Sequence, residues 1–152
     1  MKRILILLFL SAACSGMQET PGLIKGRLVL DVEPNPLIAR PAGEDLYEFS
    51  FNIIMREEGG VDVRIENFTV EAIAFKTLVV QAQTFPASFI TDRGYPAEVG
   101  AGKYLRFEFV KRWSVPARLL LSGAAVRVTA RTIDRDGRRD VSQVRIPVRV
   151  EE

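Results

Sequence analysis

Histidine is absent from this chain of 152 residues, and cysteine occurs once, at Cys14. Without an imidazole, the chain lacks the Ser-His-Asp and Cys-His arrangements of nucleophilic catalysis. One thiol leaves no ligand set for a structural zinc ion and no partner for an intramolecular disulfide. The fold must therefore depend on an apolar core, which a chain of this length can build.

The chain also lacks a large excess of charge of either sign. Lysine and arginine number 21 against 19 aspartates and glutamates, and the formal net charge of +2 is accounted for by Lys2 and Arg3 at the N-terminus. Without these two residues the charges balance, so the global attraction that draws basic domains to nucleic acid is missing. We expect no nucleic-acid partner and no cofactor.

A dense apolar run lies at the N-terminus. Lys2 and Arg3 precede residues 4–10, ILILLFL, which have the length of a signal-peptide core. This run is too short to span a bilayer, which takes about twenty residues. Small residues follow at positions 11–13, directly before Cys14. The pattern resembles the lipobox of bacterial lipoproteins, with Ser11 at the position where that family usually has leucine.

The resemblance implies that residues 1–13 are removed and that Cys14 receives a diacylglycerol. Acyl chains would then hold the protein on a membrane without spanning it. Ser15, in place of the aspartate that favours inner-membrane retention, implies the outer membrane in a Gram-negative cell. Residues 14–22 would form the lipidated cysteine and a flexible tether of at most about 25–30 Å. Ordinary secretion is the alternative, since residues 11–13 also fit a small-x-small cleavage site.

Alternating apolar and polar residues predict strands through the rest of the chain, residues 23–152. The clearest run is 46–55, in which the odd positions are apolar from Tyr47 to Met55. Residues 105–109 repeat the odd-position pattern. We expect these faces to form the core.

The last two strands are predicted to form a hairpin. Residues 124–130 and 144–150 are apolar at even positions, and Asp136-Gly137 lies between them. Asp-Gly between alternating runs is a strong hairpin signal. Further upstream, the apolar phase changes near Glu66-Asn67, which predicts a bulge or a turn.

About seven strands without a convincing amphipathic helix predict an all-β fold, a single antiparallel β-sandwich. The number and spacing of the strands resemble an immunoglobulin-like or fibronectin-type-III-like domain over residues 24–151. The cysteine pair of antibody domains is absent. Residues 76–103 are rich in glycine and proline, and their strand assignment stays open.

Three carboxylates surround the glycine of the predicted hairpin tip: Asp134, Asp136 and Asp140. Carboxylates at such spacing can bind a hard cation such as calcium. The distal glutamate of an EF-hand-type loop is missing, and three arginines lie in the same stretch. A solvated hairpin tip is the simpler interpretation, and we expect no metal.

Two further sets of residues could bind a ligand. Outward positions of the last two strands carry four arginines, Arg127, Arg131, Arg145 and Arg149. They could form a basic stripe for an anionic glycan or lipid headgroup, or pair with acids at outward positions 62 and 66 of a neighbouring strand. Sugar rings could stack on four aromatic residues, which could equally be core: Phe85, Phe89, Tyr95 and Trp113.

These features predict a lipid-anchored cell-envelope protein with a non-enzymatic immunoglobulin-like binding, adaptor or structural module. Its partners would be the membrane, through Cys14, and an envelope protein or glycan. The alternative is a carboxylate-dependent hydrolase or a metal-dependent enzyme of the envelope. Such an enzyme would need a concave pocket with converging acids of perturbed pKa.

Overall fold

The structure, a computed structural model, describes residues 24–115 and 118–151. The predicted signal peptide, Cys14 and the tether lie outside the described residues. Within them the elements are, in chain order, β1 (Leu28–Glu33), β2 (Leu37–Gly43), β3 (Leu46–Glu57), β4 (Val63–Ala74), β5 (Leu78–Pro86), α1 (Ser88–Thr91), β6 (Glu98–Val99), β7 (Tyr104–Ser114), a 3₁₀ helix (Arg118–Leu121), β8 (Ala125–Asp134) and β9 (Arg139–Val150).

The strands form two sheets. In the first, β7 pairs along one edge of β3, while β1 and β2 share the other edge. In the second, the order is β9–β8–β4–β5, and the short β6 pairs with the start of β4. The start of β2 also pairs in parallel with the end of β9, from Leu37 opposite Val148 to Ala39 opposite Val150, and joins the sheets. The architecture is an immunoglobulin-like β-sandwich, as the sequence predicts.

The core is built from the predicted faces. Apolar side chains at the odd positions of β3 and β7 and at the even positions of β8 are buried, and those at the even positions 144–150 of β9 are buried or half-buried. Phe51, Phe107 and Phe109 are at most 2% exposed. Phe68 of β4 lies among these rings, with its centroid 5.5 Å from that of Phe107 and 5.0 Å from that of Phe85. Alternation with period two thus identified the buried faces correctly.

The structure contains more strands than the seven or so that the sequence predicts, because β2 and β6 were missed. β2 contains Pro41, which cannot donate to a ladder and argues against a central strand. Pro41 is tolerated because β9 pairs only with residues 37–39, so the β9 side of the strand is free at the proline. β6 has only two residues.

The open segment 76–103 contains β5, α1 and β6. The strand β5 extends from Leu78 to Pro86. The predicted irregularity near Glu66-Asn67 is a bulge: the pairing of β4 with β8 shifts between Ile65 and Asn67. In the part of the chain that the structure describes, no helix has the length and apolar character needed to cross a membrane.

The sandwich has two ends, and they differ in character. The near end holds Ile24 and Lys25, the end of β3 and the β8–β9 hairpin. Here Arg138 Nη2 donates to the Ile24 carbonyl at 2.6 Å, and Lys25 Nζ lies 2.8 Å from Asp140 Oδ1. The far end holds the β4–β5 hairpin and the end of β7. Because β3 has 12 residues, the ends are separated by about 40 Å.

Candidate functional site

Exposed apolar side chains cluster at the far end. Phe75, in the β4–β5 hairpin, is 51% exposed, and Leu78, Val79 and Val80 at the start of β5 are 53%, 41% and 39% exposed. Single exposed apolar residues are ordinary, but a contiguous patch is typical of an interaction surface. We call Phe75 and residues 78–80 the far-end apolar patch.

A groove of about 470 Å³ lies beside this patch. One wall is the start of β5, and the other includes Trp113, Val115 and Leu120. Gln81 Nε2 donates across the groove to the Ser114 carbonyl at 3.3 Å. The groove therefore offers apolar walls with a polar bridge between β5 and β7.

Sequence reasoning missed the patch because the hairpin before it has an unusual turn. Phe75 and Lys76 both have positive φ, 48° and 70°, and the Thr77 N–H donates to the Ala74 carbonyl at 3.2 Å. Two-residue turns of this kind normally use asparagine and glycine, so Phe-Lys gives no turn signal. The run Leu78-Val79-Val80 was the available clue, since three adjacent apolar residues break the alternation of a half-buried strand.

The four candidate arginines lie on one face of the second sheet, where Arg127 of β8 is directly opposite Arg145 of β9. Arg127 forms an ion pair with Glu71 on β4: its Nε donates a hydrogen bond to Glu71 Oε2, and this hydrogen bond, together with the negative charge of Glu71, raises the pKa of Arg127. Arg131, Arg145 and Arg149 are exposed. None of these three forms an ion pair with another described residue. A ligand surface on them stays a prediction.

The acidic partner of Arg127 differs from those that the sequence suggested. Position 66 does pair with an arginine, but with Arg139, at 3.4 Å. Asp62 accepts a hydrogen bond from the Ala101 N–H at 2.8 Å. In the register of β4 and β8, Glu71, five residues beyond Glu66, lies opposite Arg127.

The three candidate calcium ligands are each occupied by protein groups. Asp134 Oδ2 lies 2.9 Å from Arg138 Nε, Asp136 Oδ2 lies 2.6 Å from Arg138 Nη2, and Asp140 pairs with Lys25. Among the described residues, no group of three or more acidic, cysteine or histidine side chains is arranged to hold a metal ion.

The sequence suggested that Asp134 is part of a solvated hairpin tip. The structure contradicts this, because the Asp134 side chain is fully buried. Burial raises the pKa of this carboxyl, but hydrogen bonds from Arg138 and from the Gly26 N–H outweigh it and lower the pKa below its usual value. Asp134 Oδ1 also accepts from the N–H groups of Asp136 and Arg138, at 3.0 and 2.9 Å. The residue therefore joins the hairpin to the segment before β1.

Glu57 is a second buried carboxylate, and sequence reasoning missed it. Its oxygens accept backbone N–H groups from three loops: Gly59 at 2.6 Å, Gly60 at 3.0 Å, Gly102 at 2.9 Å and Arg27 at 3.2 Å. Burial raises its pKa, but these four donors outweigh the burial and lower the pKa. In the sequence, Glu57 occupies the next odd position after the apolar run that ends at Met55. An acid that continues an apolar face in this way is a signal for a buried carboxylate.

Of the four candidate aromatic residues, Phe85 and Trp113 belong to the core, and Phe89 and Tyr95 are half-buried and pack against it. Trp113 packs on Phe49 with ring centroids 5.0 Å apart, and Phe85 and Phe89 pack on each other at 4.5 Å. Tyr95 lies 6.1 Å from Phe107. Arg93 covers the Phe89 ring at 3.5 Å.

Comparison with known proteins supports the fold. No protein-family profile matches the chain, and no curated protein matches it in sequence. A protein of Bordetella pertussis assigned as ApaA is similar in structure, with a TM-score of 0.56 and 12% identity over 82% of this chain and 95% of that chain. The structural-genomics target SoR45 gives a TM-score of 0.55 and 11% identity over 82% and 87%.

The CARDB domain of the PF1109 protein from Pyrococcus furiosus superposes less closely, with a TM-score of 0.35 and 12% identity over 82% of this chain and 90% of that domain. At such identities, structural similarity establishes fold and says nothing about activity. The ApaA and SoR45 structures share the fold of this chain over 82% of its length. The described residues form a single immunoglobulin-like β-sandwich.

Proposed function

We propose that this chain is a lipid-anchored protein of the bacterial cell envelope and that its sandwich is a non-enzymatic binding or adaptor module. One observation carries the proposal: Ile24, which follows the predicted anchor and tether, lies at the near end, and the far-end apolar patch lies at the opposite end. A membrane anchor before Ile24 would leave the patch accessible to a partner.

The N-terminal sequence supports the anchor. Small residues at 11–13 precede the single cysteine of the chain, and a signal-like apolar run precedes them. A diacylglycerol on Cys14 provides two acyl chains, which anchor a protein stably where a single chain does not. Ser15 favours the outer membrane if the cell is Gram-negative.

The state of the buried acids supports a binding module over the rival hydrolase. A general acid working near neutral pH needs a raised pKa. Glu57 and Asp134 have lowered pKa values, and their oxygens already accept backbone hydrogen bonds. Both carboxylates therefore serve as fixed acceptors that tie loops together at the near end.

Lipid labelling in a Gram-negative host tests the anchor. We expect the wild-type chain to incorporate labelled fatty acid and to begin at a diacylglyceryl Cys14 by mass spectrometry, and Cys14→Ser to show neither. Ser15→Ala, which keeps the thiol, serves as the matched control and should be labelled like the wild type. Equal labelling of the wild type and Cys14→Ser would exclude lipidation at this residue.

A further inference from the structure

The free edges of the two sheets differ in charge. β7 is an edge strand of the first sheet and carries Arg106, Glu108, Lys111 and Arg112. β5 is the edge of the second sheet, and its nine residues, LVVQAQTFP, include no charge. Charged side chains on an edge strand oppose pairing with another strand, and an uncharged edge has no such protection.

On the opposite side of the sandwich the two sheets meet at β1 and β9, where the gap is polar and bridged by a hydrogen bond. A cleft of about 640 Å³ separates β1 from β9, and charged residues border it, among them Lys25, Glu58 and Asp140. The Ser142 hydroxyl donates to the Leu28 carbonyl across the cleft. Among the described strands, β5 is therefore the edge whose chemistry best suits an additional strand.

The edge of β5 is regular over most of its length. Residues 81–86 pair one to one with residues 67–72 of β4, and the register shifts only beyond Gln81, where Val80 is the extra residue. A partner strand can follow a regular edge through its backbone N–H and C=O groups. Val80 borders the groove next to this edge.

We propose that β5 accepts an extended, uncharged peptide segment of a partner protein as an additional strand, with an apolar side chain of that segment in the far-end groove. The backbone edge selects an extended chain. The side chains of β5 offer no ion-pair partner to a charged segment, so an uncharged segment is the better match. The groove walls that include Trp113, Val115 and Leu120 favour an apolar side chain. This inference rests on the proposed binding function and names its site.

A second copy of this chain fits the edge less well. Antiparallel pairing of two β5 strands would place the near end of one sandwich beside the far end of the other. Two copies anchored in one membrane would then need one tether to cover the full sandwich, about 40 Å, which exceeds the expected reach of about 25–30 Å. A separate partner segment has no such constraint.

Selection of random twelve-residue peptides on the purified full chain in detergent micelles tests the proposal. We expect the enriched peptides to be uncharged and rich in β-branched or aromatic residues. Val80→Lys, which places a charge beside the edge, should weaken the best peptide at least about tenfold. Val110→Lys is the matched control, because Val110 is also an exposed valine on an edge strand, 50% exposed on β7, and should leave affinity unchanged.

Backbone methylation of the best peptide distinguishes strand addition from apolar adsorption. Alternate N–H groups of a strand point to opposite edges, so methylating one alternate set should abolish binding and methylating the other should not. Four outcomes would each overturn the proposal. These are enrichment of charged peptides, no enrichment at all, equal binding to both lysine variants, and equal binding of both methylated peptides. The test does not depend on lipidation, so its outcome is separate from that of the labelling experiment.

Discussion

Glu57 shows how one side chain can hold several loops together. Its two oxygens accept N–H groups from the β3–β4 loop, from Arg27 and from Gly102 before β7. Gly59 is also closely approached, since a Cβ at this position would lie 1.9 Å from the Lys25 carbonyl oxygen. The packing of the near end thus depends on a carboxylate and on a position without a side chain.

Replacing Glu57 by glutamine should destabilise the protein by about 2–3 kcal/mol, because an amide offers one acceptor oxygen and leaves backbone N–H groups unsatisfied. Urea unfolding would measure the loss. Glu58→Gln is the matched control, since Glu58 is exposed and faces Arg56 at 3.7 Å. Similar midpoints for the two variants would show that the acceptor role is unimportant.

Phe107 and Arg106 are neighbours on β7 with opposite burial. Phe107 is 1% exposed, so Phe107→Ala should cost about 3–5 kcal/mol through the cavity that it leaves. Arg106 pairs with Glu33 at 3.1 Å on the surface, and Arg106→Ala should cost about 1 kcal/mol or less. Denaturant unfolding of both variants checks the orientation of β7, and comparable losses would contradict it.

At the level of secondary-structure elements, the β8–β9 hairpin contains the turn glycine that the sequence predicts, Gly137, and a buried acid that it does not, Asp134. Gly137 has φ of 82°, and the Gly137 N–H donates to the Asp134 carbonyl at 2.9 Å. The Asp134 carboxylate then accepts the next N–H groups of the loop. The loop is longer than the two-residue turn that Asp-Gly signals, because Ile133 pairs with Arg139 and Asp134 is drawn into the interior.

Gly137→Val should destabilise the hairpin by about 1–2 kcal/mol or more, since a β-branched residue is strained in the left-handed region. A Cβ at Gly137 would meet no atom within 4 Å, so backbone strain is the sole cause. Gly137→Asn is the matched control, because asparagine tolerates this conformation. A thermal melt in which asparagine costs as much as valine would point to a cause other than strain.

How much of the fold the sequence predicts depends on how regular each element is. β3, β7, β8 and β9 alternate over many residues, so their inward faces were identified. The sequence did not predict β2, because the strand contains Pro41. It left β5 unassigned, because the middle of this strand is polar and the Phe75-Lys76 turn gives no turn signal. The far-end groove could not be foreseen, because it forms between β5 and the end of β7, about thirty residues apart in the sequence.

For the whole molecule, the two buried acids should make stability depend on pH on the acid side. The folded-state pKa values of Glu57 and Asp134 lie below their ordinary values of 4.5 and 3.8. The unfolded chain therefore binds protons at higher pH than the folded chain does. The stability that these groups contribute is complete above their ordinary pKa values and is lost as the pH falls through the folded values.

We expect the urea midpoint to be flat between about pH 5 and 8, where a chain without histidine has no ordinary side-chain titration, and to fall below about pH 4.5. Glu57→Gln should flatten this acid limb. Urea titrations at half-unit pH steps check both expectations, and a midpoint that changes between neutral pH and pH 5 would contradict them.

The ladder between β1 and β3 also determines how the molecule responds to pulling. Leu28 lies opposite Glu57 and Glu33 opposite Asn52, so β1 runs from the near end toward the far end. A load applied at the far end of a chain held at a membrane before Ile24 acts along β1 and shears this ladder. Its six residue pairs share the force, whereas peeling would break them one at a time. Under tension the domain becomes a mechanical link, whose lifetime is set by its unfolding rate and not by its equilibrium stability.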